Sequence, residues 1–150
     1  MSVVPPSHQI TIALYNALSS DATLKGFLPD GIWIGYALPL SGTQPRTRFG
    51  ILDLVPLVSR DYPVFGQRAW EDRQYIVKAV TRDLSPATAN AAAQRMNELI
   101  EDITIAATGY GWITGHRLWP IESVEADEVD PKLAWQHRGG YYRVAYAVVV

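Results

Sequence analysis

The chain of 150 residues contains no cysteine. That excludes a disulfide framework, a cysteine zinc site, an iron–sulfur cluster and a thiol nucleophile, and it fits a reducing compartment. Basic excess is also missing: 13 Lys and Arg against 15 Asp and Glu leave a net charge of -2. A dedicated nucleic-acid binder carries a strong basic excess, so tight binding of DNA or RNA is not expected. Long apolar runs are lacking too. The longest, Ala145 to Val150, falls far short of the roughly 18 residues of a membrane span and suits a strand. Met1 to Pro6 lacks the basic region and apolar run of a signal peptide. The expectation is a soluble intracellular protein with no membrane contact.

Catalytic signatures are scarce as well. The three histidines, His8, His116 and His137, have no second His or carboxylate at a ligand spacing such as HExxH. Gly109-Tyr110-Gly111 and Gly139-Gly140 do not lead into a helix as a phosphate-binding loop must, so both read as turns. No serine lies in a GxSxG elbow. Glu98, Glu101 and Asp102 occupy the polar side of a helix, where a solvated face explains them. No catalytic residue, metal or cofactor is expected.

What is present is an ordinary packed composition, 48% hydrophobic and 19% charged. A chain of this length buries about 70% of its unfolded surface and needs no staple. One domain over residues 1–150 is expected. Ile10, Ala13, Leu14, Ala17 and Leu18 follow helical spacing from Ser7 to about Ser19, and Ala22 to Leu28 suggests a short second helix. Strands are predicted at Ile32 to Tyr36, Arg48 to Val55 and Gln74 to Arg82, with Pro39 to Pro45 as a loop and Pro56 ending the second strand. Ser85 as cap and Pro86 open a long helix, which Ala89, Ala92, Ala93, Met96, Leu99, Ile100 and Ile103 carry to a cap at Thr108-Gly109, roughly 30 Å. Trp112 to Glu128 reads as one or two strands interrupted at Pro120, Val129 to Gly140 as a loop, and Tyr141 to Val150 as a last strand. The fold class is α+β: an antiparallel or mixed sheet of about five strands with two helices on one face.

Two segments carry the candidate functional residues. Leu57 to Arg73 reads as a long connection, and such loops tend to be functional. Arg60, Tyr62, Phe65, Arg68 and Trp70 in it are the residue types that dominate protein interfaces. Ile76 and Val80 point away from the core face set by Tyr75, Val77 and Ala79, so the second face of the sheet is too apolar for free water. Either the long loop covers it or another subunit does. The acidic stretch Glu122, Glu125, Asp127, Glu128 and Asp130 is a solvated edge, or a negative lining for a channel that passes DNA without gripping it.

A family resemblance appears in the order of these parts. Ala13-Leu14-Tyr15-Asn16-Ala17-Leu18-Ser19-Ser20-Asp21 leads through Leu24 and Leu28 to Gly31-Ile32-Trp33 and Pro39. Tyr75-Ile76-Val77-Lys78-Ala79-Val80 then leads into Ala87 to Ile100, and Arg138-Gly139-Gly140 precedes an alternating strand. The chain resembles the tail-completion or tail-terminator proteins of long-tailed double-stranded-DNA bacteriophages. The resemblance covers almost the whole chain; the Val3 to Pro6 extension and the Pro39 to Pro45 insertion have no place in it.

The resemblance implies a non-enzymatic virion subunit, assembled in the host cytoplasm into a homo-hexameric ring at the tail–neck junction. Such a ring stops growth of the tail tube and joins it to the head-completion or connector protein. Double-stranded DNA only passes through the lumen. A neck or head-completion ring of the same virion is the near alternative. A small-molecule-binding domain or enzyme is the remote one, since five tryptophans and eight tyrosines could line a pocket.

Overall fold

A computed structural model describes residues 6–35, 46–64, 67–101, 105 and 110–148. Helix α1 (Pro6–Ser19) buries the apolar stripe Ile10, Ala13, Leu14 and Leu18. Helix α2 (Ala22–Phe27) follows directly, capped by the Asp21 carboxylate, which accepts the Leu24 N–H at 2.8 Å. Strand β1 (Ile32–Ile34) is short, β2 (Arg48–Val64) and β3 (Gln67–Arg82) are long, and helix α3 (Ala87–Ile100) leads to β4 (Tyr110–Ala126) and β5 (Ala134–Val148). The N-cap of α3 is Pro86, one residue later than expected, and the Ser85 hydroxyl accepts the Ala87 N–H at 3.2 Å from just before it. The Asp21 carboxylate also grips Arg95 of α3 at 2.7 Å, which ties α2 to α3. That guanidinium holds the Asp21 carboxyl below the usual carboxylate range.

The five strands form one mixed sheet in the order β1-β2-β3-β5-β4. Only β1 and β2 run parallel; the other pairs are antiparallel. Side chains alternate between the two faces of a strand. Leu52, Tyr75, Val77, Ala79, Tyr142 and Val144 fall on one face and pack with Leu14, Leu18, Met96 and Ile100 into a single core. Helices α1 and α3 thus lie on that face, as the patterning predicts, with α2 beside them.

Five expectations are corrected. Leu57 to Arg73 is not a loop: β2 and β3 pair as one hairpin from Arg48↔Thr81 to Val64↔Gln67. Pro56 falls within a register shift between Leu54 and Ser59, where its missing N–H costs no ladder bond, and the strand resumes beyond it. Residues 134–140 belong to β5 rather than to a loop. Gly139 lies mid-strand opposite Lys78, and a Cβ there would stand 2.1 Å from the Val77 carbonyl oxygen. That glycine marks a close approach of two backbones, not a turn.

Helix α3 stops at Ile100, well before Thr108-Gly109, and its 14 residues span about 21 Å. Glu101 turns to extended geometry because β4 captures it. Its carboxylate accepts the Arg117 backbone N–H at 2.7 Å and the His116 Nδ1 hydrogen at 2.9 Å. Finally, β4 runs unbroken through Pro120. It is an edge strand, where one absent N–H is tolerated. The Pro39 to Pro45 loop and the Thr108-Gly109 cap lie outside the described residues.

Candidate functional site

The face of the sheet that the helices leave open collects residues from four strands. Asp72, Ile76, Lys78, Val80 and Arg82 of β3 alternate with the core positions, and Phe49 and Ile51 of β2 join them. From β5 come Trp135, His137, Tyr141 and Arg143, and from β4 Trp119, Ser123 and Glu125. The surface mixes rings and charges. Phe49 and Trp135 stand 6.4 Å apart between ring centroids, and Trp119 and Tyr141 5.0 Å apart. Arg143 grips the buried Asp72 carboxylate at 2.6 Å.

His137 sits within this face at 12% side-chain exposure. Neither ring nitrogen makes a hydrogen bond, although Nε2 stands 3.5 Å from a Glu125 carboxylate oxygen. Burial, aided by the Lys78 charge, pushes its pKa below the usual histidine value against the opposing pull of Glu125. The imidazole is therefore neutral at pH 7.

The expected interface residues divide among three settings. Ile76 is half-buried on the open face, and Val80 is already 3% exposed within the chain itself. Arg60, Tyr62, Arg68 and Trp70 lie on the hairpin, with Tyr62 paired to Trp70 and Pro63 to Arg68. Phe65 lies outside the described residues. The hairpin is thus a two-stranded arm rather than a loop. Beyond Leu52 the outer edge of β2 has no neighbour among the described residues, because β1 pairs only with Gly50, Ile51 and Leu52.

The acidic residues divide as well. Glu122, Glu125 and Glu128 are exposed on β4 and its turn. Asp127 is buried, and its carboxylate is committed to the fold: it pairs with Arg82, with Nη2 at 3.2 Å, and accepts the Val129 and Asp130 N–H groups at 2.9 and 2.8 Å. Arg82 and those two N–H groups hold its pKa far below the usual carboxylate range.

One feature of the surface is absent from the sequence reading. Leu118, Trp119 and Val124 are 41%, 50% and 58% exposed along edge strand β4. Pro120 inside an apolar run is the signal that points to them, since proline demotes a strand to an edge and edges are where further chains add.

A cleft of about 720 Å³ opens between α1, α2 and β1, lined by Tyr15, Leu18, Leu24, Leu28, Ile32 and Trp33. Its charged residues among those described are Lys25 and Asp30. The Asp30 carboxylate is taken up by the Thr47 and Arg48 backbone N–H groups at 2.9 and 3.0 Å. Among the described residues no group of three or more His, Asp or Glu could hold a metal ion, and no helix is long and apolar enough to cross a membrane.

Comparison with known proteins gives one informative result. No protein-family model matches the chain, and no curated protein does. Among solved structures, a chain described as "Virion of native gene transfer agent (GTA) particle" is similar with a TM-score of 0.61 and 16% sequence identity, covering 97% of this chain and 99% of that one. At that identity the likeness is one of fold, and it runs the full length of both chains.

Proposed function

We propose that this chain is a non-enzymatic structural subunit of a phage-like virion. In the finer form of this reading it assembles as a hexameric ring at the head-proximal end of a tail tube, ends tube growth and joins tail to head. The observation that carries the proposal is the end-to-end likeness of fold to a chain of a gene transfer agent virion. A shared fold alone permits several functions. The surface adds specific support: among the described residues the outer edge of β4 has no neighbour beyond Arg117, where Glu101 and Ile105 cease to cover it, nor has the outer half of β2, and a hairpin arm carries Arg60, Tyr62, Arg68 and Trp70. Free edges at opposite sides of one sheet suit a head-to-tail contact, and such contacts close into rings.

On this reading the partners are further copies of the chain, the tail tube protein and the head-completion or connector protein, with double-stranded DNA passing through the lumen. Glu125 and Glu128 would face that lumen, whereas Glu122 lies on the helix side of β4. A neck ring one layer nearer the head uses the same surfaces, and the sheet edges do not distinguish it.

Mass photometry followed by negative-stain imaging tests the proposal. The expected result is a ring of six copies of 16.7 kDa, about 100 kDa in total. A chain that stays monomeric, alone and when mixed with tail tubes of its own particle, ends the ring reading.

A further inference from the structure

A second cleft, distinct from the open face, lies on the helix side between α3 and the β4–β5 pair. It measures about 250 Å³, and its polar lining comes from Asn90, Gln94, Asn97, Arg117, Glu122 and Arg138. Its donors outnumber its acceptors. Tyr142 donates its hydroxyl hydrogen to Asn97 Oδ1 at 2.7 Å, which leaves the Asn97 amide hydrogens as donors. Arg138 spends Nη1 on the Ser123 and His137 carbonyls, both at 2.9 Å, and keeps Nε and Nη2. The Arg117 guanidinium makes no hydrogen bond or ion pair among the described residues. Its stem is laid down on the sheet by Gly140, where a Cβ would stand 2.8 Å from the Arg117 Cδ. Arg117 thus lies exposed with its stem against Gly140 and its guanidinium unpaired among the described residues.

Glu122 is the one carboxylate in the lining. It faces Arg138 across the β4–β5 register yet forms no ion pair with either arginine among the described residues. Two guanidiniums with free N–H groups, beside amide donors, match the flat, two-oxygen geometry of a carboxylate. The volume suits one side chain and a few waters rather than a nucleic-acid backbone, and Glu122 at the same cleft repels a continuous polyanion.

We infer that the α3–β4 cleft is a docking site for an acidic side chain, Asp or Glu, presented by a partner protein, with Arg117 as the principal contact and Asn97 and Arg138 as supporting donors. The site stands apart from the ring reading and holds for any assembly in which the chain takes part.

The test is a titration of the isotopically labelled full chain, followed by NMR, with three probes: a hexaglutamate peptide, inorganic phosphate and a short DNA duplex. The peptide is expected to give saturable shifts centred on Asn97, Arg117 and Arg138. Arg117→Gln, which keeps most of the stem, is expected to weaken it about tenfold, as loss of a charge-assisted hydrogen bond does. Glu122→Gln is expected to tighten it two- to fivefold, roughly the effect of removing one nearby like charge. Equal or stronger response to phosphate or duplex would overturn the assignment in favour of a general anion or DNA site. Shifts that Arg117→Gln leaves unchanged, or no saturable response to the peptide, would overturn it outright.

Discussion

The two faces of the sheet are built on different rules. Under the helices, Leu52, Tyr75, Val77, Ala79 and Val144 are fully buried among Leu14, Leu18, Met96 and Ile100. Two tyrosine tips there are matched within the chain, Tyr75 to the Thr11 hydroxyl at 2.8 Å and Tyr142 to Asn97 at 2.7 Å, while the buried Thr81 Oγ1 and Gln136 Oε1 find no hydrogen-bond partner among the described residues. On the open face, rings stand beside charges, Asp72 is held by an arginine that is itself 45% exposed, and His137 keeps both nitrogens unbonded. The first face is closed by one chain. The second carries groups whose burial is incomplete, and an added protein layer would complete it. Intramolecular packing against helices is thus confined to one side of the strands.

The largest effect should come from breaking the closed face. Ile100 is fully buried at the end of α3, so Ile100→Asp places an unpaired charge in the core and should cost upward of about 3 kcal/mol. Loss of native circular dichroism checks it; a native spectrum would show that the helix end can swing out.

The second effect should leave the closed face alone. Phe65→Ala combined with Trp70→Ala should keep the thermal midpoint of the isolated chain within a degree or two and weaken association by about 2 kcal/mol, near thirtyfold. Sedimentation analysis of the oligomer and an assay of tail completion read it. Unchanged assembly would take the hairpin out of the interface.

Residues that repeat with a clear period were legible in the sequence. The stripe Ile10, Ala13, Leu14 and Leu18, the series Ala89, Ala92, Met96 and Ile100, and the alternation Tyr75, Val77, Ala79 each lie buried as their spacing requires. What escaped was structure whose local signal points the other way. Pro56 and Gly139-Gly140 are turn residues by composition, yet the register shift beside Leu54 and the tight β3–β5 approach keep them within strands. The end of α3 escaped because apolar spacing continues through Ile103, while the stop comes from a contact with β4, 16 residues away at Arg117. The candidate site was partly legible: Ile76 and Val80 stand out because they break the polar alternation of a solvated face, whereas the α3–β4 cleft joins residues that no motif connects.

The smallest effect concerns pH. His137 is held neutral by burial, so its folded pKa lies below the unfolded value of 6.5. The unfolded chain then binds the proton more readily, and stability is unaffected above pH 6.5 and falls as pH drops below it. The loss should level off once the pH passes the folded pKa. His137→Gln should remove this slope without moving stability at neutral pH much, as denaturant titrations from neutral to mildly acidic pH would show. A slope that survives the substitution would assign it to other groups.

Strand order has a kinetic consequence. Strands β2 and β3 meet across a short reversal, as do β4 and β5, so each pair assembles from neighbouring residues. The join between the two hairpins is different: it pairs Trp70 with Ala147 and Arg82 with Trp135, residues separated by most of the second half of the chain. Closing that seam requires α3 to have brought the halves together, and loop-closure entropy makes such non-local pairing slow. Until it closes, β3 and β5 each present an unpaired edge to any other chain in solution. On its way to the native state the chain thus passes through a stage at which association through the wrong edges competes with folding.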